Sequence, residues 1–287
     1  MTKKISLIVY KFLKFFDNLL KFLTKKSILI YFKDFFENDA YVQINVLKNE
    51  TKFFVPNRLT EWRVETFFTK EPETLDWINN FEQKENLIFW DIGANIGLYS
   101  IYNSLKNKGS ITISFEPSSS NLRILSRNIS INKLENNIKI FPIPLTNTIN
   151  QFQMMNEADF LEGGSLNSFG EKFNFEGENF NSKMNYQIFG TTINYLLKNK
   201  ILEIPDYIKV DVDGIEHLIL EGGDKFLKDK KIKSLLIEIN ENFEVQYKNV
   251  LKIMNDNDFK ILHKKHNENL MDKNSRYASV FNYIFIR

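Results

Sequence analysis

Short apolar runs alternate with helical segments from residue 87 to the end of the chain. The apolar runs are rich in β-branched and aromatic residues, which favours β-strands, and they lie at 87–92, 110–115, 138–143, 207–212 and 234–239. Helical periodicity is found between them, at 97–105, 118–132, 191–198, 216–220 and 243–256. This alternation predicts βαβ units, and therefore an α/β fold with a mostly parallel sheet and helices on both faces. Two last strand candidates, 259–263 and 279–286, have no long crossover between them, so we expect an antiparallel pair at the sheet edge.

The first 40 residues follow a different pattern, which predicts a basic helical extension. On a helix over residues 1–26, apolar side chains recur every three or four residues on one side, at Ile5, Ile8, Val9, Phe12, Phe16, Leu19 and Leu23. Lysines interrupt every apolar run long before the ~18 residues that a membrane crossing requires. The amphipathic helix therefore predicts docking on the body of the protein, on a second subunit of a homo-oligomer or on an anionic membrane surface.

Charge is distributed unevenly along the chain. The formal net charge is +2, but the first 33 residues contain eight lysines against Asp17 alone, so the remainder is net acidic. An acidic body is a poor partner for nucleic acid, whose backbone requires clustered Lys and Arg. The chain has no cysteine, which excludes disulfides, thiolate metal sites and a cysteine nucleophile, and a cytoplasmic location is the expectation.

We expect two parts, the extension at 1–40 and one domain at 41–287 that begins with a hairpin at 41–59. Between the third and fourth sheet strands lies a net acidic insertion at 150–190. Its aromatic residues are Phe160, Phe169, Phe173, Phe175, Phe180, Tyr186 and Phe189. Aromatic faces beside short polar side chains suit a carbohydrate, and the negative charge disfavours single-stranded nucleic acid. The insertion is therefore interpreted as a lid over an acceptor site or as a lid with a small core of its own.

The strongest chemical signal lies between the first strand and the first helix of the sheet region. The candidate ligand-binding residues there are Asp91, Gly93, Ala94, Asn95 and Gly97. A glycine turn lets the backbone approach a ligand closely and points helix N–H groups at it. The dehydrogenase fingerprint needs glycine at its first, third and sixth places, where this chain has Gly93, Asn95 and Leu98, which weakens the dinucleotide interpretation. An acidic residue before the turn also suits a ligand that carries a cationic amine.

Glu116 and Pro117 follow the next strand, beside the glycine turn of a doubly wound sheet. A carboxylate at this position can accept hydrogen bonds from both hydroxyls of a ribose. Recognition of a cationic amino acid next to a ribose indicates S-adenosylmethionine. The structural alternative is that the glycines only allow tight packing and that Glu116 caps the following helix.

Four segments in this order resemble the FkbM family of S-adenosylmethionine-dependent methyltransferases. They are DIGANIG at 91–97, FEP at 115–117, KVDVDGIE at 209–216 and LIEIN at 236–240. The resemblance extends from about residue 60 to the C-terminus and leaves out the basic helix. It implies a class I methyltransferase fold, which is Rossmann-like, and O-methylation of sugars in surface polysaccharides or of natural-product hydroxyls. One departure is Asp213, where many members carry Glu.

The candidate catalytic residues are Asp211, Asp213, Glu216 and His217, at the carboxyl end of the fourth parallel strand. Open α/β sheets bind ligands at this rim. Methylation of an alcohol needs a route for the hydroxyl proton, and a carboxylate or imidazole base contributes about 10² to 10⁴ in rate. The alternative is that Glu216 and His217 begin a solvated helix that one of the aspartates caps.

Asp211, Glu238 and Asn240 form a candidate Mg²⁺ site at two adjacent strand ends. Carboxylate and amide oxygens suit this ion, which lowers the pKa of a substrate hydroxyl as a Lewis acid. Substrate hydrogen bonding or strand-end capping without metal is the alternative.

The sequence thus predicts an enzyme that transfers a methyl group to a hydroxyl of a glycan, a glycolipid or a related small molecule. A nucleotide-dependent oxidoreductase and a non-catalytic, membrane-associated glycan-binding protein are the two alternatives.

Overall fold

The computed structural model describes residues 1–179, 181–266 and 275–287; Phe180 of the insertion lies outside this set. The helices are α1 (Thr2–Thr24), α2 (Leu29–Asp39), α3 (Arg58–Glu65), α4 (Pro72–Asn79), α5 (Leu98–Lys106), α6 (Ser119–Ile131), α7 (Ile193–Lys198), α8 (Glu216–Glu221) and α9 (Glu244–Asp256). The strands are β1 (Tyr41–Val46), β2 (Asn49–Phe54), β3 (Ile88–Ile92), β4 (Ile111–Phe115), β5 (Ile138–Phe141), β6 (Gln151–Glu157), β7 (Ser168–Phe169), β8 (Met184–Gly190), β9 (Tyr207–Val210), β10 (Ser234–Asn240), β11 (Lys260–Lys265) and β12 (Val280–Ile286).

A seven-stranded sheet with the order β11-β12-β10-β9-β3-β4-β5 forms the centre of the protein. The five strands from β10 to β5 are parallel, whereas β12 runs antiparallel to β10 and β11 runs antiparallel to β12. The predicted α/β fold and the antiparallel strand pair at its edge are confirmed. The parallel strands are buried on both faces, which is why they appear in the sequence as continuous apolar runs.

Two hydrophobic clusters pack on the two faces of the sheet. One includes buried residues of α7, α8 and α9, such as Leu196, Leu220 and Met254. The other includes residues of α4, α5 and α6 and also of the β1–β2 hairpin, such as Phe53 and Ile124. The sheet is therefore covered by helices on both sides, and its strand ends remain as the edge where side chains can meet a ligand.

The hairpin and the insertion lie outside the main sheet. In the hairpin, Leu47 and Lys48 both have positive φ, as a two-residue turn between antiparallel strands requires. The insertion contains a second small sheet with the order β7-β6-β8, which the sequence did not predict. Apolar and polar positions do not alternate clearly in β6, so its sequence does not indicate a strand. They do alternate in β8, where Met184, Tyr186 and Ile188 are less exposed than Asn185 and Gln187.

The two N-terminal helices, α1 and α2, follow one another before the β1–β2 hairpin, and we call this pair the α1–α2 hairpin. Within the described residues, no helix is long and apolar enough to cross a membrane.

Candidate active site

The carboxyl ends of β3 and β9 meet where the strand order of the sheet reverses. From β3 the chain adds β4 and β5 on one side, whereas β9 and β10 lie on the other. Open α/β sheets bind ligands in the crevice that such a reversal creates. The backbone N–H of Asp211, just after β9, donates to the carbonyl of Ile92 at 3.0 Å, so the two strand ends are held together at this crevice.

The segment after β3 turns sharply before α5 begins. Gly93 and Gly97 have positive φ of 87° and 90°, and the N–H groups of Gly93 and Ala94 both donate to the carbonyl of Phe115 at 3.0 Å. A Cβ at Gly93 would lie 1.8 Å from the carbonyl oxygen of Asp211. Because that oxygen belongs to the backbone at the end of β9, it cannot move aside as a side chain would. Glycine is therefore required at this position.

The carboxylate of Glu116 lies beside this turn, directly after β4. It accepts hydrogen bonds from the backbone N–H groups of Asn95 at 2.7 Å and Ser118 at 2.8 Å. Burial raises the pKa of Glu116 to about 8, against the opposing effect of these N–H donors. A carboxylate has about four acceptor positions. The side chain of Asn121 also acts on this carboxylate, and acceptor positions that these donors do not use remain for hydroxyl groups of a ligand.

A narrow cavity runs from Glu116 along the strand ends to Asp211. Its apolar wall comes mainly from strand ends and the insertion, at Ile143, Leu145, Met155, Phe169 and Ile219. The predicted cofactor residues that line it are Gly93, Asn95, Glu116 and Pro117, and Ala94 lines an adjoining cavity. The cavity thus has apolar walls, with a carboxylate at one end.

Asp91 and Gly97 serve the packing below the turn. Among the described residues, neither lines a cavity at this edge. Oδ2 of Asp91 accepts from the hydroxyl of Ser100 at 2.5 Å, and burial raises the pKa of Asp91. The positive charge of Lys209 opposes this increase in the pKa of Asp91. A Cβ at Gly97 would lie 2.6 Å from Leu125, so this glycine allows α5 and α6 to pack closely.

Residues 161–167 of the insertion cross the cavity, and we call this segment the strap. The carbonyl of Gly164 accepts from the side-chain amides of Asn95 at 2.8 Å and Asn121 at 3.1 Å. The N–H of Gly163 donates to Oδ1 of Asn121 at 2.9 Å, and the carbonyl of Gly163 accepts from Nε of Arg63 at 2.6 Å. The strap is therefore tied both to the turn after β3 and to α3, although it lies far from them in sequence.

Lys209 is a buried cation within β9 and is surrounded by carboxylates. Its ammonium group contacts Oδ2 of Asp211 at 2.6 Å and lies 5.0 Å from the ring centroid of Tyr99. Burial alone lowers the pKa of Lys209, but Asp211, Asp91 and Glu71 outweigh this effect, so the pKa is raised. Lys209 therefore stays charged and fixes the position of the Asp211 carboxylate.

A second ion pair lies next to Lys209. Lys70 pairs with Glu71, whose Oε2 also accepts from the hydroxyl of Tyr99 at 2.7 Å. Burial raises the pKa of Glu71, but the two cations Lys70 and Lys209 outweigh it, so the pKa is lowered. Two neighbouring ion pairs, Lys209–Asp211 and Lys70–Glu71, thus lie side by side in the site.

A wider cleft of about 590 Å³ opens beside the narrow cavity. Gly93, Asn95 and Asp211 line both, so the two form one continuous site. The other charged and aromatic residues of the cleft include Trp62, Arg63, Lys70, Glu71, Asp213, Glu238, His266 and Tyr277. Tyr277 stacks on Phe175 of the insertion, with ring centroids 5.0 Å apart.

The pKa values of two carboxyl groups in the wide cleft are raised above their ordinary values. Burial, together with repulsion from Asp211, raises the pKa of Asp213 to about 6. The same two causes, with further repulsion from Asp213, raise the pKa of Glu238 well above its ordinary value. Oδ2 of Asp213 also accepts from the N–H of Leu166 in the strap at 2.7 Å. Asp213 therefore connects the wide cleft to the strap.

Glu216 and His217, both predicted as catalytic, lie behind the edge. The carboxylate of Glu216 accepts from the N–H groups of Val212 at 3.0 Å and Gly214 at 3.1 Å, so it braces the loop after β9. His217 is 4% exposed, and its ring lies 5.9 Å from that of Phe243. Within the described chain, neither residue lines the cavities, because Gly214 turns the backbone before α8 begins. They are not placed to take a proton from an acceptor.

The candidate Mg²⁺ ligands are also not brought together. Asp211 and Glu238 line the wide cleft, but the side chain of Asn240 donates to the carbonyl of Phe175 at 2.9 Å and accepts from the N–H of Asn242 at 3.1 Å. No group of three or more His, Cys, Asp or Glu suited to a metal is found among the described residues. These residues do not fit a magnesium site.

Sequence reasoning missed several residues of the site. Arg63, Lys70 and Glu71 lie before β3, in a region with no recognisable motif. Tyr277 comes from the last loop before β12. Lys209 did carry a signal, because a lysine in the middle of a buried parallel strand needs a charged partner.

One family model and several distant solved structures match this chain. A methyltransferase FkbM domain model matches residues 91–261, which is more than half of the chain. No curated protein matches the chain significantly. Among solved structures, a precorrin-6y C5,15-methyltransferase from Geobacter metallireducens is 13% identical, with a TM-score of 0.42 over 76% of this chain and 86% of that one. TrmK from M. capricolum, in complex with S-adenosylhomocysteine, is 14% identical, with a TM-score of 0.42 over 74% of this chain and 66% of that one.

The family assignment rests on the domain match alone, since the likenesses to solved structures are distant. The matched residues include the turn after β3, Glu116, the loop after β9 and the end of β10. The sequence resemblance to the same family is thereby confirmed, and the chain belongs to the FkbM methyltransferase family.

Proposed function

We propose that this chain transfers the methyl group of S-adenosylmethionine to a hydroxyl group of a sugar. The observation that carries the proposal is the continuity of the two cavities at Gly93, Asn95 and Asp211. One cavity has the features of a nucleoside site, and the other has charged and aromatic walls. Asp211 lies where the two meet.

The narrow cavity fits the proposed cofactor. Glu116 lines this cavity, and its free acceptor positions suit the hydroxyls of a ribose, as a carboxylate after the second strand does in doubly wound sheets. The apolar wall suits a flat purine ring. When bound, the cofactor supplies a methyl group attached to a sulfonium sulfur. An alcohol oxygen can attack the carbon of this methyl group, and the carbon–sulfur bond then breaks.

Asp211 is the residue that we assign to proton transfer. Nζ of Lys209 donates to Oδ2 of Asp211 at 2.6 Å, so the carboxylate cannot rotate freely. From there it can orient an acceptor hydroxyl and take its proton, a contribution of about 10² to 10⁴ in rate. Asp213 and Glu238, on the same cleft, are placed to bind neighbouring hydroxyls of the acceptor.

A polyol fits the wide cleft better than an apolar or a polyanionic molecule does. The cleft presents carboxyl groups as acceptors, Arg63 and Lys70 as donors, and the ring of Tyr277 as a flat apolar surface. Sugars combine hydroxyl groups with weakly apolar ring faces. Nucleic acid is disfavoured, because the carboxylates of Asp211 and Glu71 in the cleft would repel its phosphates. We therefore propose a glycan or glycolipid precursor as the acceptor.

The strap is the proposed lid. Gly164 and Asn167 line the narrow cavity, whereas Ser165 and Leu166 line the wide cleft, so one segment covers both. Its opening would admit the ligands, and its closing would exclude water from the methyl transfer.

Thermal unfolding with and without ligands tests the cofactor. We expect S-adenosylhomocysteine at 100 times its dissociation constant to stabilise the protein by about 2.7 kcal/mol. NAD should not shift the midpoint. Stabilisation by NAD alone would favour the oxidoreductase alternative and reject the proposal.

Asp211→Asn tests the chemistry, because it keeps the shape of the side chain and removes its charge. With S-adenosylmethionine and a panel of oligosaccharides, we expect kcat to fall by about 10² to 10⁴ while the affinity for S-adenosylhomocysteine changes little. Full activity of the variant would contradict the role of Asp211. Saccharide binding without any turnover in the wild-type protein would favour a glycan-binding protein.

A further inference from the structure

Asp17 organises the two N-terminal helices into a hairpin. It is 1% exposed, although it lies on a helix whose other side chains are exposed or half-buried. Its carboxylate accepts from the hydroxyl of Ser27 at 2.8 Å and from the N–H groups of Ile28 at 2.7 Å and Leu29 at 3.1 Å. Asp17 thus satisfies the free N–H groups at the start of α2 and fixes the turn between the helices.

The hairpin is attached to the body at the end of α2. Glu37 pairs with Arg123 at 2.7 Å and with Arg127 at 2.9 Å, both on α6. The apolar face of α1 is not covered by the described part of the chain. Phe12, Phe16 and Leu23 are 61%, 42% and 67% exposed. The other exposed aliphatic residues of this face include Ile5, Ile8, Val9 and Leu19.

The exposed charge of α1 has one sign. Its lysines are Lys3, Lys4, Lys11, Lys14 and Lys21, and its single acidic residue is the buried Asp17. A helix with an apolar face and a lysine-rich opposite face lies flat in a membrane interface and is attracted by anionic lipid headgroups. Two copies of the same hairpin would instead bring like charges together, which opposes self-association.

We propose that the α1–α2 hairpin binds an anionic phospholipid surface and holds the catalytic domain against it. The apolar face of α1 enters the interface, while its lysines contact the headgroups. Asp17 contributes indirectly, because it removes the only negative charge of α1 from the surface and keeps the helix beside α2. This inference does not depend on the proposed methyl transfer.

Co-sedimentation of the full chain with vesicles tests the proposal. We expect binding to phosphatidylcholine vesicles that contain phosphatidylglycerol, little binding to phosphatidylcholine alone, and release as the salt concentration rises. A lysine near an anionic surface increases partitioning by a factor of about five, so the triple variant Lys3→Gln, Lys11→Gln, Lys14→Gln should bind on the order of a hundredfold more weakly.

The matched control removes the same charge elsewhere. Lys198, Lys200 and Lys228 are exposed lysines of the domain. Replacing all three with glutamine should leave vesicle binding unchanged. Equal losses in both triple variants would mean that net charge alone drives binding, and this would overturn the role of the hairpin.

A second pair of variants tests the apolar face. Phe12→Ala with Leu23→Ala should weaken binding to the anionic vesicles at least about tenfold, because the binding energy scales with the apolar area that enters the interface. Ile201 and Val245 are 48% and 55% exposed on the domain and lie outside the insertion, and their replacement by alanine should have no effect.

Two results would overturn the proposal. One is a full-length protein that does not bind the anionic vesicles even at low salt. The other is a dimer in sedimentation velocity that becomes a monomer in the Phe12→Ala, Leu23→Ala variant, because a second copy would then cover the face. Turnover of a water-soluble acceptor should be the same in all these variants, so failure here is distinguishable from failure of the methyltransferase assignment.

Discussion

The two cavities of the proposed active site are built in different ways. We call the narrow cavity the cofactor half and the wide cleft the acceptor half. The cofactor half depends on backbone geometry: the glycine turn, the N–H groups that hold Glu116, and close contact between the ends of β3 and β9. The acceptor half depends on side-chain charges. Lys209 and Lys70 balance Asp211 and Glu71. The pKa values of Asp213 and Glu238 are raised. One half is fixed by steric fit and the other by electrostatic balance.

This difference predicts different responses to mutation. A steric change in the cofactor half should be costly at every pH, because no titration relieves an atomic overlap. A charge change in the acceptor half should be costly only where the affected carboxyl groups are ionised. The acceptor half also leaves room for variation in the substrate, because charges can be exchanged without moving the backbone.

Gly93→Ala should have the largest effect. The new Cβ would lie 1.8 Å from the carbonyl oxygen of Asp211, so β3 and β9 must separate. We expect a loss of about 3 kcal/mol or more in the free energy of unfolding, and no detectable binding of S-adenosylhomocysteine. Urea unfolding and calorimetric titration measure the two quantities.

Gly109→Ala is the matched control, because Gly109 also has positive φ, at 82°, but open space around the position of a Cβ. It should cost only about 1 kcal/mol, from backbone strain alone. Equal costs at the two glycines would show that the cofactor half is not fixed by steric fit.

How well each half could be predicted from sequence follows from the same difference. Glu116 and the turn at 91–97 lie at the ends of adjacent strands, so the strand pattern alone brings them together. Arg63, Lys70 and Tyr277 reach the acceptor half from opposite ends of the chain, and no local pattern reveals such a meeting.

Local sequence was also misleading at two places. Glu216 follows the aspartates closely, but it is used to hold the N–H groups of the loop after β9. The insertion, interpreted as a lid over an acceptor site or as a lid with a small core of its own, contains the β7-β6-β8 sheet, and its residue Phe169 is buried in the main core. In both cases tertiary contacts decide the role of the residue, and single-residue chemistry does not.

Lys209→Met should have the next largest effect, and it tests the acceptor half. The substitution removes a buried cation that interacts with Asp211, Asp91 and Glu71. Leaving buried carboxylates without their partner costs about 3 to 5 kcal/mol. The wild-type advantage is present at pH values above the ordinary carboxyl pKa and should shrink as the pH falls, because the variant then protonates its carboxyl groups.

Lys183→Met provides the comparison, since Lys183 forms an exposed pair with Asp159. It should change the free energy of unfolding by less than about 1 kcal/mol. A Lys209→Met protein as stable as the wild type at neutral pH would contradict the electrostatic description of this half.

Asp213→Asn should have a smaller effect with a characteristic pH dependence. The pKa of Asp213 is raised to about 6 in the folded protein, above the ordinary value that it has in the unfolded chain. The folded protein therefore holds this proton more tightly, and it loses stability as the pH rises from the ordinary value toward about 6. Asparagine resembles the neutral form at every pH and can still accept from Leu166. Relative to wild type, the variant should therefore gain about 1 to 2 kcal/mol between pH 4 and pH 7. Urea unfolding at several pH values checks the slope, and a difference that does not depend on pH would contradict it.

Asn121→Ala should have the smallest effect, and it tests whether the strap moves independently of the two halves. Asn121 gives the strap two hydrogen bonds, to Gly163 and Gly164. Their loss should favour the open strap by about 1 to 2 kcal/mol, or roughly five- to thirtyfold in the opening equilibrium. A glutamate-specific protease reports the opening, because Glu162 lies within the strap and cleavage follows the open population. Asn132→Ala removes an asparagine that bonds to β2 instead, and it should leave this cleavage rate unchanged. Equal rates in all three proteins would mean that the strap is fixed to the cofactor half and that ligands enter by another route.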